Sequence, residues 1–411
     1  MMKTATCLGL AAALLLPAAA CGGSSPSTAQ IQAAEGTAPL DPAHSGTLTV
    51  HLVQDGQPGA FSHLDLVLSA LELRVGGVWR PVTLEAPGQP IDILSAATQT
   101  PAVLAINVPW PTGLNDAMRF SAGPDSKVQL SDEDADTFHN LAVPGQFVSG
   151  MGLPGSFSVP AQGSTDLWIA FGVSRAILPD AANDGGYVFI QGPIRGFDKG
   201  ATGTISGTLT SQEVTGRPDV PAAPLAGAAV TAQLLAEDGQ PGVAIAFRTV
   251  LTDVQGHYSL DLLPKGYTWC VVSQPVAGTE IYYPQASPGF AMGGAPFDQY
   301  QSSMAFALAA IPGSVSGTVA QGPGVSQEDV VDLIQEIPIG GVPCRFVVGS
   351  AVVEDTGAEG SFAFSFPAVA PGIYSAVFNN YTQSLTQGLV DQTQPTAGFV
   401  VSAGSKTGIS F

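Results

Sequence analysis

From Gly46 onward, apolar and polar positions alternate in short runs, the period of a half-buried strand and not of a helix. Leu48, Val50 and Leu52 fall on one face, Thr47, Thr49 and His51 on the other. Leu64-Asp65-Leu66-Val67-Leu68 continues the pattern toward Leu71, Leu73 and Val75. Gly76-Gly77 separates that run from Val78, and two glycines supply the positive φ values of a type I′ turn, so a hairpin is expected here. Further strand-like runs read at 81–84, 91–94, 102–108, 117–120, 127–130, 146–149, 156–159, 166–173 and 187–191. With no long amphipathic helix among them, they predict a β-sandwich or barrel-like domain over residues 46–200.

After Lys199 the pattern starts to repeat. Gly203-Thr204-Ile205-Ser206-Gly207-Thr208-Leu209 returns as Gly313-Ser314-Val315-Ser316-Gly317-Thr318-Val319. Pro224-Leu225-Ala226-Gly227-Ala228-Ala229-Val230 is matched to Pro338-Ile339-Gly340-Gly341-Val342. Thr252-Asp253-Val254-Gln255-Gly256-His257-Tyr258-Ser259-Leu260 is matched to Gly357-Ala358-Glu359-Gly360-Ser361-Phe362-Ala363-Phe364. Both copies then reach a Pro, a Gly and a Tyr, at Pro264, Gly266 and Tyr267 and at Pro371, Gly372 and Tyr374. Landmarks in one order point to an internal duplication, 201–310 and 311–411. Tyr258 and Leu260, and Phe362 and Phe364, alternate as core positions should, and Asp253 is placed to cap its own turn. The whole chain therefore reads as all-β: a larger sandwich followed by two smaller Ig-like or transthyretin-like ones.

These residues resemble two families. The motifs G-x-I/V-x-G-x-L/V, P-L-x-G-A-x-V, T-D-x-x-G-x-Y and P-x-G-Y are similar to those of carboxypeptidase regulatory-like β-sandwiches; the second copy lacks T-D-x-x-G and is divergent. Residues 46–200 resemble a domain of unknown function from bacterial surface lipoproteins, through Gly46–Leu52, Trp79–Val82, Ile91–Leu94 and Gly186–Arg195. The resemblance implies a sandwich architecture and cell-surface placement, and it brings no catalytic residue.

The first 20 residues have the layout of an export signal: Lys3, an apolar run from Leu8 to Leu16, then small residues. Ala18-Ala19-Ala20-Cys21-Gly22-Gly23-Ser24-Ser25 resembles a lipoprotein signal, with Cys21 as the lipidated residue. Residues 21–45 read as a flexible tether, whose r.m.s. span would be roughly 25–30 Å. The expected location is the bacterial cell envelope, at the outer membrane, held by the lipid anchor. Cys270 and Cys344 are too few for a disulfide framework and are expected as buried free thiols. A bridge between them would cross a domain boundary.

Composition narrows the function. Only 11% of residues are charged, whereas an average soluble protein has roughly 25%. The formal net charge is −20, from 33 acidic and 13 basic residues, and no run of Lys/Arg occurs. Phosphate contact needs clustered cations, so nucleic acid is excluded as a partner. Gly150-Met151-Gly152-Leu153-Pro154-Gly155 matches a dinucleotide-binding pattern, yet Pro154 and a strand-like run follow where a helix should start, so a hairpin turn is expected. The five His stand far apart and no G-x-S-x-G elbow occurs, so no enzyme active site is expected.

Two clusters carry candidate chemistry. Asp132, Asp134 and Asp136 alternate on a predicted loop and offer hard oxygen ligands for Ca²⁺, or form a solvated acidic turn. Tyr282, Tyr283 and Phe290 lie in a Gly/Pro-rich stretch that also holds Phe297 and Tyr300, and Trp110 stands between two prolines. Such aromatics either stack on a glycan from an exposed rim or pack onto their own sandwich. The functional expectation is a non-enzymatic envelope lipoprotein with a structural, spacer or adhesion role and no cofactor. The alternative is a carbohydrate- or peptide-binding module whose partner is a glycan or an envelope protein.

Overall fold

The computed structural model describes residues 40–55, 61–96, 100–123, 125–142, 151–172, 177–179, 186–189, 194–212, 222–234, 246–277, 280–293, 299–309, 311–320, 330–355, 361–380, 391–392 and 396–411. Among these described residues, apart from two three-residue 3₁₀ turns, the regular structure is all strand. Each sheet draws its strands from one of three consecutive stretches of chain.

The first stretch holds β1 (Ser45–Asp55), β2 (Phe61–Val75), β3 (Val78–Pro81), β4 (Pro90–Asp92), β5 (Ala102–Pro111), β6 (Gly113–Ala122), β7 (Lys127–Leu130), β8 (His139–Ala142), β9 (Met151–Val159), β10 (Ser164–Gly172), β11 (Ile177–Pro179), β12 (Tyr187–Phe189) and β13 (Ile194–Asp198). One sheet runs β13-β10-β1-β5, the other β11-β12-β8-β7-β2-β6-β9, with β3 and β4 also on β2. The period-two pattern does what it predicts: Leu48, Val50 and Leu52 of β1 face Leu64, Leu66, Leu71 and Leu73 of β2 in one buried core. Gly76 and Gly77, at φ 56° and 81°, close the expected β2–β3 hairpin, in which Val75 pairs Val78.

The second stretch holds β14 (Thr202–Ser211), β15 (Ala229–Leu234), β16 (Ala246–Leu251), β17 (His257–Pro264), β18 (Thr268–Ser273), β19 (Val276–Ala277), β20 (Glu280–Tyr282), β21 (Gln285–Ala286), β22 (Phe290–Ala291), β23 (Gln299–Gln301), β24 (Met304–Phe306) and β25 (Leu308–Ala309). The third holds β26 (Gly313–Ala320), β27 (Val330–Ile339), β28 (Val342–Val352), β29 (Glu354–Asp355), β30 (Ser361–Val369), β31 (Gly372–Asn380), β32 (Asp391–Gln392), β33 (Phe399–Val401) and β34 (Lys406–Ser410).

These two stretches share one plan. In the second, β14 lies between antiparallel β17 and parallel β23 and β24; in the third, β26 lies between antiparallel β30 and parallel β34. The opposite sheets place β15 between β16 and β18, and β27 between β28 and β31. The registers coincide: Ile205 pairs Leu260 and Gly207 pairs Tyr258, as Val315 pairs Phe366 and Gly317 pairs Phe364.

Two matched landmarks are corrected: Tyr258 and Leu260 correspond to Phe364 and Phe366, two residues beyond the sequence match, and the glycine turns fall at different places in the plan. Pro224–Val230 leads from β14 into β15, whereas Ile339-Gly340-Gly341-Val342 is the tight β27–β28 hairpin, one turn later in the plan. Glycines that serve turns look alike in sequence wherever the turn falls, because positive φ is the property selected, at Gly227 as at Gly340 and Gly341. Asp253 caps its turn as expected, accepting from Gln255 N at 2.9 Å and His257 N at 2.8 Å.

Candidate functional site

Cys21 and the stretches expected to be an export signal and most of a tether lie outside the described residues. The aromatic candidates do not form one exposed rim. Trp110 is 2% exposed inside the first core, and its indole N–H donates to Asn115 Oδ1 at 2.9 Å. Tyr282 is 4% exposed in the second core, and its hydroxyl donates to Glu280 Oε2 at 2.9 Å. Burial, helped by the Glu280 carboxylate, pushes this phenol up to about 12. Of the two readings for these aromatics, packing onto their own sandwich is the one that Trp110 and Tyr282 follow; neither presents an exposed stacking face. A large ring gains from burial once its polar edge has a partner, and Asn115 and Glu280 are those partners.

Phe290 is half-buried against the same core and lies 5.3 Å from the Tyr300 ring, whose hydroxyl donates to Ala291 O at 2.6 Å. Tyr283, at 40%, keeps the largest solvent face of the four candidates. Phe297 lies outside the described residues.

Asp132, Asp134 and Asp136 are exposed on the turn between β7 and β8. The turn closes on itself: Thr137 N and Gln129 Nε2 both donate to Asp134 O, at 2.9 and 3.0 Å. Among the described residues no three His, Cys, Asp or Glu side chains gather as a metal site, so the Ca²⁺ expectation finds no cage here. The glycine pattern at 150–155 continues as β9, not as a hairpin turn, and Gly152 pairs Ala117 of β6; Gly150 lies outside the described residues.

What the fold does assemble lies at two seams between sandwiches. At the first, the outer face of the β13-β10-β1-β5 sheet presents Val53, Trp168, Ala170 and Phe197, and Leu262 of β17 packs into them with Phe247 of β16 alongside. Leu262 sits at φ 60°, next to a register break in the β14–β17 ladder. A bulge of this kind re-aims a side chain, here away from its own core and into the neighbouring sandwich. A bulky residue at positive φ is strained, by about 1–2 kcal/mol, so the seam contact has to outweigh that cost.

Polar groups reinforce the same seam. The Arg195 guanidinium lies 4.2 Å from the Phe247 ring and donates to Phe247 O. Lys199 Nζ lies 4.3 Å from the Trp168 ring. The His51 ring lies 5.0 Å from that of Trp168, and its buried Nδ1 has no hydrogen-bond partner. Burial holds the His51 pKa below the usual imidazole value; Lys199 adds to that and Asp166 opposes it. The chain crosses this seam through only Lys199–Ala201, capped by Asp198, which accepts from Gly200 N at 2.9 Å.

At the second seam, Cys270 and Val272 of β18 meet Phe346 of β28, with Ala286, Ile337, Ile339, Cys344 and Val348 around them. A second contact joins Ile281 and Ala309 to Ala370. Gln233 of β15 reaches across: its Nε2 donates to Val347 O at 2.5 Å and its Oε1 accepts from Val347 N at 3.0 Å. One amide side chain thus acts as an extra rung of β-ladder between two sandwiches. Sequence reasoning missed Gln233, Leu262 and Arg195. A lone Gln, Leu or Arg in a strand carries no signal of what its outward face will meet.

No family model matches the chain, and no curated protein matches it. Among solved structures, the TIE protein of Bacillus anthracis aligns over 90% of this chain at 11% identity and TM-score 0.20, and the chain spans 50% of that protein's length. A streptococcal ancillary pilin aligns over 89% of this chain and 98% of its own, at 11% identity and TM-score 0.19. The shaft pilin spaA from Lactobacillus rhamnosus GG aligns over 51% of this chain and 96% of its own, at 12% identity and TM-score 0.19. At such scores the all-β sandwich assignment rests on the strand pairing of this chain itself.

Proposed function

We propose that this chain is a non-enzymatic cell-envelope protein, lipid-anchored through Cys21, in which three sandwich domains (46–200, 201–310 and 311–411) act as a stiff spacer or adhesion arm. The observation that carries this reading is the pair of seams. Each sandwich commits outward-facing apolar residues to its neighbour, Leu262 to the first seam and Phe346 to the second. Connectors of a few residues, such as Lys199–Ala201, leave little slack for independent tumbling. A stiff arm transmits position or load away from an anchor; an enzyme would need convergent reactive groups instead.

The test is made on the whole chain expressed with its own N-terminus. The wild type is expected in the membrane fraction, accessible to protease added to intact cells, and Cys21→Ser is expected to release it or stall its processing. An unmodified Cys21 amine terminus on a soluble wild-type chain overturns the anchoring. Single-particle or scattering data showing the three sandwiches moving independently overturn the stiff arm.

A further inference from the structure

The second seam holds a feature that a spacer role does not require. Of the four cysteines in the sequence, Cys270 and Cys344 are the two within the sandwiches, and the fold brings them into one apolar cluster although 201–310 and 311–411 form separate sheets. Their placement follows from the strand registers. Cys270 pairs Gln233 across β15 and β18, and Gln233 is the residue whose side chain grips Val347. Cys344 and Phe346 are two apart in β28 and therefore share a face, and Phe346 packs in the cluster with Cys270. Cys344 pairs Ile337, itself part of the cluster. Both thiols are free in this structure, Cys270 buried and Cys344 half-buried.

We infer that Cys270 and Cys344 form a redox staple, closing to a disulfide that locks the second sandwich to the third when the protein meets a disulfide oxidant. The inference rests on the export proposed above, because an oxidising compartment is where such a bond persists. The oxidant is a low-molecular-weight or protein disulfide, RSSR. Cys344, the more accessible sulfur, loses its proton and attacks RSSR, giving a mixed disulfide and releasing one RS⁻, which takes up a proton as RSH. Cys270 then loses its proton and displaces the second RS⁻ from Cys344, which leaves as the second RSH. Two protein thiols are oxidised to one disulfide, and one external disulfide is reduced to two thiols. Burial pushes the Cys270 thiol up to about 12, so the second displacement is the slower step and accelerates as pH rises.

The experiment uses the full chain, purified under reducing conditions and then exposed to oxidised glutathione in native buffer. Free thiols are alkylated, and peptides are mapped by mass spectrometry without reduction. The expected result is one linked peptide pair joining Cys270 to Cys344, formed faster at higher pH, and a higher melting midpoint that reductant reverses. Cys344→Ser, a half-buried position that leaves the Cys270 core intact, should abolish both the linked pair and the oxidant-dependent rise. Glutathione retained on Cys344 with Cys270 still alkylatable after unfolding overturns the staple, as does alkylation of both. Because oxidation is carried out on purified protein, a failure of export leaves this result unaffected. A chain that is exported yet never bridges would sink the staple alone.

Discussion

Gly207 stands directly across the β14–β17 ladder from Tyr258, whose hydroxyl reaches past it to donate to Ser302 O. A Cβ on Gly207 would come within 1.7 Å of Ser302 O and 2.9 Å of the Tyr258 hydroxyl oxygen. Gly317 and Phe364 repeat this relationship in the third sandwich, where the added Cβ would lie 2.0 Å from Ile409 O and 2.6 Å from Phe364 Cζ. In each case a backbone carbonyl of a neighbouring segment and an aromatic ring of the opposed strand occupy the space that a side chain would need. Gly207→Ala and Gly317→Ala are therefore expected to destabilise their own sandwiches by about 3 kcal/mol each, measured by denaturant unfolding. A change of a few tenths would show that the strands part freely there.

Arg119 and Glu72 form the most buried ion pair resolved in the first sandwich, at 2.5 Å, with Glu72 side-chain exposure of only 2%. Arg119 also lies 4.6 Å from the Trp79 ring. Arg119→Met leaves a buried carboxylate without its cation and should cost about 3 kcal/mol. Glu72→Gln in the same background should recover much of that loss in a double-mutant cycle. Equal losses from the single and the double variant would mean that the pair contributes only packing.

Gln233→Ala removes both hydrogen bonds to Val347 and strands a buried N–H and C=O at the second seam. The expected loss is about 2 kcal/mol, expressed as separation of the melting of the second and third sandwiches. Calorimetry on the full chain reads this directly. One unchanged cooperative transition would show that the apolar contacts alone hold the seam.

His51 gives the first seam a pH dependence of defined sign. Its folded pKa lies below its ordinary value of 6.5, chiefly because it is buried. Below 6.5 the unfolded chain therefore binds a proton that the folded chain does not, so stability falls as pH drops through that window and is restored above it. Melting midpoints followed from about pH 7 to about pH 5 should decline, and His51→Phe should flatten that part of the profile. An identical decline in the variant would assign the effect to other groups.

The alternation of Leu48, Val50 and Leu52, the turn at Gly76-Gly77 and the recurrence of Gly207 as Gly317 were all legible from local chemistry. A strand needs one apolar face, a type I′ turn needs positive φ, and a ladder crossed by an aromatic ring needs a residue without a Cβ. Those rules determined the all-β class and the return of β14 as β26, but not the register across it: the sequence match sets Tyr258 against Phe362, whereas the ladders set it against Phe364. The same rules could not determine where Trp110 and Tyr282 would point, because an aromatic among prolines and glycines suits a rim or a core equally. Their polar edges are met locally, by Asn115 and Glu280, but burial came from the sheets that closed over them. Nor could periodicity say which outward faces would meet. Leu262, turned by a bulge into the first sandwich, and Cys270, set beside Cys344 by the Gln233 clamp, have neighbours fixed only when whole sheets dock. Local sequence encodes the strand and its two faces; the docking of those faces is a non-local choice, and tertiary structure alone made it.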